Sequence, residues 1–88
     1  METIYKWTLA MQDRQEIEVP KGSRFLTVQT QHGEPEVWGI CDPEKEKVVQ
    51  VVHMLGTGHQ MLKEKNLVYL NSFQMDNGRF VFHVFMEV

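Results

Sequence analysis

The chain has 88 residues, 42% of them hydrophobic, enough for one modest core but not for two domains. Twelve acidic residues against nine basic ones leave a net charge of −3, opposite to the basic face that binds a nucleic-acid polymer. A single cysteine, Cys41, excludes an intrachain disulfide, and no apolar run approaches the ~20 residues that span a bilayer.

In chain order, Ile4 to Leu9 opens with β-branched and aromatic residues suited to a pleated, half-buried surface. A polar turn at Met11-Gln12-Asp13-Arg14 follows. Gln15 to Val19 alternates, with Ile17 and Val19 on one face and Glu16 and Glu18 on the other. Pro20-Lys21-Gly22-Ser23 combines a fixed φ with a residue that permits a positive one, which reads as a turn. Arg24 to Gln31 alternates again, placing Leu26, Val28 and Thr30 on one face and Phe25, Thr27 and Gln29 on the other. His32-Gly33-Glu34-Pro35 turns the chain into a strand over Glu36 to Cys41, giving a hairpin.

Asp42 to Lys47 is a charged connection with nearly balanced signs, read as solvated surface. Val48 to Leu55 is apolar on both faces and therefore belongs in the middle of a sheet. Gly56-Thr57-Gly58-His59 is a loop, and residues 61–65 are long enough for one helical turn. Leu67 to Met75 and Arg79 to Glu87 are the last two strands. The Asn77-Gly78 pair between them suits a type I′ turn, which needs positive φ at both central residues.

Seven short strands with turn signals between them predict a single all-β domain over residues 1–88. The expected architecture is a small antiparallel sandwich or barrel with at most one short helical turn. The final strand carries Phe80, Phe82, Val84 and Met86 on one face and Val81, His83 and Phe85 on the other. A strand apolar on both faces needs cover on both, and a second copy of the chain is the simplest cover. A homo-oligomer is therefore expected.

Gly56-Thr57-Gly58-His59 is the leading candidate for chemistry. Glycines let successive backbone N–H groups converge on an anion, and a helical turn after them would add positive charge. Thr57 and His59 supply a hydroxyl and an imidazole for phosphate or ribose oxygens. The stretch is neither a P-loop nor a dinucleotide fingerprint, since the Lys-Ser/Thr and the βαβ frame are missing. The plain alternative is a strand connection with glycine for conformational reasons.

Trp38 offers an aromatic wall to a ligand, against its ordinary place in a core or interface. Arg14, Arg24 and Arg79 stand beside turns, and Arg24 is taken as the arginine that joins the loop. His32, His53, His59 and His83 form no ligand spacing, although His53 and His83 can meet across paired strands; no metal and no cofactor are expected. Cys41 has acidic neighbours, and Ser23 and Ser72 sit in no nucleophile context, so no catalysis is expected.

Ile4-Tyr5-Lys6, Val19-Pro20-Lys21-Gly22 with Leu26-Thr27-Val28-Gln29, Trp38, the Gly56–His59 block and the ending Phe80-Val81-Phe82-His83-Val84-Phe85 resemble a family of small uncharacterised phage and prophage proteins. The resemblance covers almost the whole chain and implies an accessory protein in the cytoplasm of an infected bacterium. It assigns no catalytic residues. Within that setting the expected function is anti-defence: an oligomer that sequesters a small nucleotide immune signal without catalysis, through Gly56, Thr57, Gly58, His59, Trp38 and Arg24. The alternatives are an inhibitor of a host defence enzyme and a phage structural or assembly protein. Neither a nucleic-acid polymer nor a membrane is an expected partner.

Overall fold

The computed structural model describes residues 1–63 and 65–88. Seven strands run β1 Thr3–Thr8, β2 Arg14–Pro20, β3 Arg24–Gln31, β4 Glu34–Cys41, β5 Lys47–Gly56, β6 Leu67–Met75 and β7 Phe80–Glu87. They form two antiparallel sheets, one ordered β1-β4-β3 and the other β2-β5-β7-β6. Among the described residues there is no helix. The helical turn expected over residues 61–65 includes Glu64, which lies outside the described residues, and positions 60–63 hold no helix.

The core lies between the sheets. Leu9, Val28 and Val37 face Val52, Met54, Phe73, Val84 and Met86, all buried, with Trp7, Ile17, Phe25, Leu70 and Phe82 packed around them. Burial of valine and methionine side chains at this density stabilises by about 1.5–3 kcal/mol each relative to exposure. The alternation of β4 and β7 follows directly: Val37 and Val84 point inward, Trp38 and His83 outward.

Two strands break that alternation. β3 carries a bulge between Phe25 and Thr27, and β6 one between Tyr69 and Asn71. The extra residue reverses parity. Phe25, not Leu26, therefore shares the inward face with Val28, and Leu26 is left 48% exposed. β3 and β6 are the facing edges of the two sheets, and Asn71 ties them. Its Nδ2 donates to Thr27 Oγ1 at 2.8 Å and to Val28 O at 3.4 Å.

The hairpin β3–β4 turns on two residues, His32 (φ 51) and Gly33 (φ 80), so Glu34 and Pro35 belong to the strand and not to the turn. In β6–β7, Asn77 (φ 55) and Gly78 (φ 84) take the central positions, and Arg79 N donates to Asp76 O at 3.0 Å. These are the φ signs of a type I′ turn.

β5 and β6 both pair antiparallel with β7, so they run parallel to each other. The chain from 57 to 66 must therefore recross the sheet. Leu62 and Lys65 of this connection share a cavity with His53 and Leu55, which project from β5 away from the core. The crossing thus covers part of the outer face, and His53 is 3% exposed as a result. Val81, His83 and Phe85 on the same face remain half-buried. The covering expected of a second chain is supplied in part by the chain itself. Among the described residues no helix is long and apolar enough to cross a membrane.

Candidate functional site

The Gly56–His59 loop closes on itself where β5 ends. Gly56 N donates to His59 Nδ1 at 3.2 Å, and His59 N donates to Gly56 O at 3.0 Å. Because Nδ1 accepts, the proton of the neutral ring sits on Nε2, which is then a donor. The ring lies over Gly56 so closely that a Cβ there would stand 2.9 Å from its Cε1. Gly58 takes φ 92, a left-handed conformation open to glycine.

Thr57 extends the ladder to β7, its N donating to Val81 O at 3.0 Å. Its hydroxyl lies 2.8 Å from His83 Nε2, and His83 Nδ1 lies 3.2 Å from the Tyr69 hydroxyl. With Val81 O 3.4 Å from Thr57 Oγ1, one consistent polarity runs from Tyr69 through His83 and Thr57 to that carbonyl.

The amides of Gly56, Thr57 and His59 are therefore already spent within the fold. That leaves fewer backbone donors for an anion than an open nest would offer. The loop is drawn in by the ladder to β7 and by its own imidazole, so most ligand-facing donors come from side chains.

Those side chains belong to the neighbouring hairpin. A groove of about 420 Å³ is lined by Gly56, Thr57, His59, Arg79, Phe80 and the strand that follows. Phe80 is 50% exposed, and the Arg79 guanidinium carbon stands 5.7 Å from its ring centroid. Arg79 also faces Asp76 at 3.7 Å, with both side chains mostly solvated, a pair of small energetic weight.

Of the six residues singled out from the sequence, Gly56, Thr57, Gly58 and His59 stay together, and three of them line the groove. Trp38 and Arg24 are elsewhere. Trp38 lies on the outer face of the other sheet, between Lys6 and Thr27. Arg24 is held by a two-pronged contact with Glu2 at 3.0 and 3.2 Å. That pairing lowers the Glu2 carboxyl below its ordinary value and raises the Arg24 guanidinium. The arginine beside the loop is Arg79, and the aromatic wall is Phe80. The pairing of β5 with β7 brings them there, and the apolar character of both faces in those two strands was the signal that they are central neighbours.

Cys41 is buried, and burial pushes its thiol up, followed in effect by the nearby Asp42 charge. It is a packing residue.

The fold and this groove define a small two-sheet β-protein with a shallow, side-chain-lined groove at one end of its larger sheet. The chain belongs to the domain of unknown function DUF7352, whose family model matches residues 1–88. No curated protein and no solved structure matches it.

Proposed function

We propose that this protein is a non-catalytic binding module that holds a small nucleotide-type ligand in the groove between the Gly56–His59 loop and the β6–β7 turn. The arrangement of Arg79 over a half-exposed Phe80, beside His59, carries the reading. A flat aromatic ring offers a stacking surface for a base, and a guanidinium and an imidazole N–H suit phosphate oxygens. A volume near 420 Å³ lies within the range of small-molecule pockets. The resemblance to small phage proteins supports an anti-defence role in an infected bacterial cytoplasm: an oligomer that sequesters a nucleotide immune signal and leaves it unaltered. Trp38 and Arg24 reach such a ligand from a neighbouring subunit or not at all.

Native mass spectrometry after incubation with a panel of bacterial signalling nucleotides tests this. The expected result is an oligomer carrying stoichiometric, unmodified nucleotide. Arg79→Ala is expected to weaken retention at least tenfold with an unchanged melting temperature, because its side chain is exposed; Phe80→Ala is expected to weaken it as much and to lower the melting temperature modestly, because half of its ring is buried. Loss of retention in Trp38→Ala would place that residue across a subunit contact. An oligomer or monomer that retains nothing overturns the reading.

The second reading, an inhibitor of a host defence enzyme, has its own support in β1. This strand pairs only with β4, leaving a free edge, and exposes Ile4 (58%) and Tyr5 (44%). Such an edge can add a strand from a partner. Lys6→Pro, placed on that edge, is expected to abolish enzyme capture and to leave nucleotide retention intact.

A further inference from the structure

His59 also borders a second cavity, of about 440 Å³, formed where the crossover connection passes over the outer face of β5. We propose that this cavity is a separate site for a small phosphorylated molecule. Its phosphate is held by Arg14, Lys65 and His53, and its apolar part lies against Leu55 and Leu62.

His53 is the first observation. Its side chain lines the cavity and is 4% exposed, yet among the described residues its Nε2 makes no hydrogen bond, only a 3.5 Å contact with Glu87 Oε1. That oxygen is likewise buried without a hydrogen bond. Burial of an imidazole nitrogen with no partner is unfavourable, and native structures rarely tolerate it without a reason.

The charges of the lining are the second observation. Among the described residues of the lining, Arg14 and Lys65 are two cations against one carboxylate, Asp13. Their present partners lie outside the lining: Glu16 is 3.1 Å from Arg14, and Glu87 is 3.4 Å from Lys65. Both cationic side chains are about half exposed (54% and 50%), so each can turn toward an anion at small cost.

A phosphate that draws Lys65 away from Glu87 leaves that carboxylate to His53 Nε2, already beside it. The ring's other nitrogen is then left to the ligand, and the two buried atoms that lack a hydrogen bond find each other. Asp13 limits the negative charge the site accepts, which favours one phosphate over a polyphosphate chain. Leu55 and Leu62 favour an organic phosphate over the free ion.

The two sites share the His59 wall, but Arg79 and Phe80 of the groove take no part in this lining. The test is imidazole-detected NMR of the 88-residue protein, titrated at constant ionic strength with inorganic phosphate and with phenyl phosphate. A saturable shift at His53 is expected with both, at least tenfold tighter for phenyl phosphate. Arg14→Gln is expected to weaken binding at least tenfold, and Arg79→Ala to leave it unchanged. In the Arg79→Ala background, which silences the groove, His53→Gln, checked for folding by its melting curve, is expected to lose binding of both probes in a calorimetric titration. No saturable shift at His53, or one that Arg14→Gln does not weaken, overturns the site. Equal affinity for the two probes overturns the assignment of an organic phosphate.

Discussion

Gly56 shows how a single missing Cβ shapes the candidate loop. The His59 ring occupies the space a side chain would need, and its Nδ1 takes the Gly56 amide. Gly56→Ala sets a methyl 2.9 Å from the ring, so the imidazole must leave. We expect a loss of about 0.5–1.5 kcal/mol, the net worth of the hydrogen bond that the displaced ring gives up. In the His59→Ala background the same change is expected to cost less than half as much, because the obstacle is gone. Thermal melts of the four proteins in this double-mutant cycle measure the difference. Local spacing displayed the glycines, but not what they accommodate. That depends on where the ring returns, three residues later.

At the scale of elements, the facing edge strands β3 and β6 are joined by one side chain. Asn71 reaches a hydroxyl and a carbonyl on β3. Asn71→Ala leaves Val28 O without that donor and is expected to cost about 1–3 kcal/mol, read by urea unfolding. Asn71→Leu is expected to be no better, since its methyls meet the same polar groups.

The crossover connection is secured by charge. Burial works against the Glu87 carboxylate, but Lys65 and His53 beside it outweigh this and hold it below the ordinary glutamate range. A depressed carboxyl stabilises the fold while ionised. That contribution is present above the unfolded-state value, about 4.3, and is lost as pH falls through the lower folded-state value. Hydrogen exchange at Val88, whose amide donates to Asn66 O at 2.9 Å, is expected to quicken relative to β4 as the solution is acidified below about pH 4. Glu87→Gln is expected to remove that pH dependence.

The strands themselves were legible because turn chemistry marks their ends. Arg24–Gln31 and Leu67–Met75 have the bounds their patterns predict. The bulges at Leu26 and Leu70 were not legible, since a period of two looks the same with one residue more until the partner strand is known. The candidate site divides in the same way. Gly56, Thr57 and His59 were visible as a cluster, whereas Arg79 and Phe80 join them only through the β5–β7 pairing.

At the scale of the whole molecule, one core serves both sheets, and Met86 is 4% exposed within it, packed with residues from each. Met86→Ala is expected to cost about 2–5 kcal/mol through lost burial and the cavity left behind. At about 4–8 °C per kcal/mol for a domain of this size, the melting temperature should fall by more than 8 °C. Calorimetry is expected to show one transition, because neither sheet retains a covered face without the other.

β7 comes last among the seven strands, yet it lies inside its sheet, between β5 and β6. Pairing in chain order is therefore impossible for this half of the molecule. A nascent chain that has emerged only as far as β6 holds two unsatisfied strand edges with a gap one strand wide between them. Both edges are open templates for other chains during that interval, a recognised route to aggregation. The eight residues of β7 close the two edges in one event. Assembly of the larger sheet thus waits for β7, and a chain truncated before Phe80 loses the strand that joins β5 to β6.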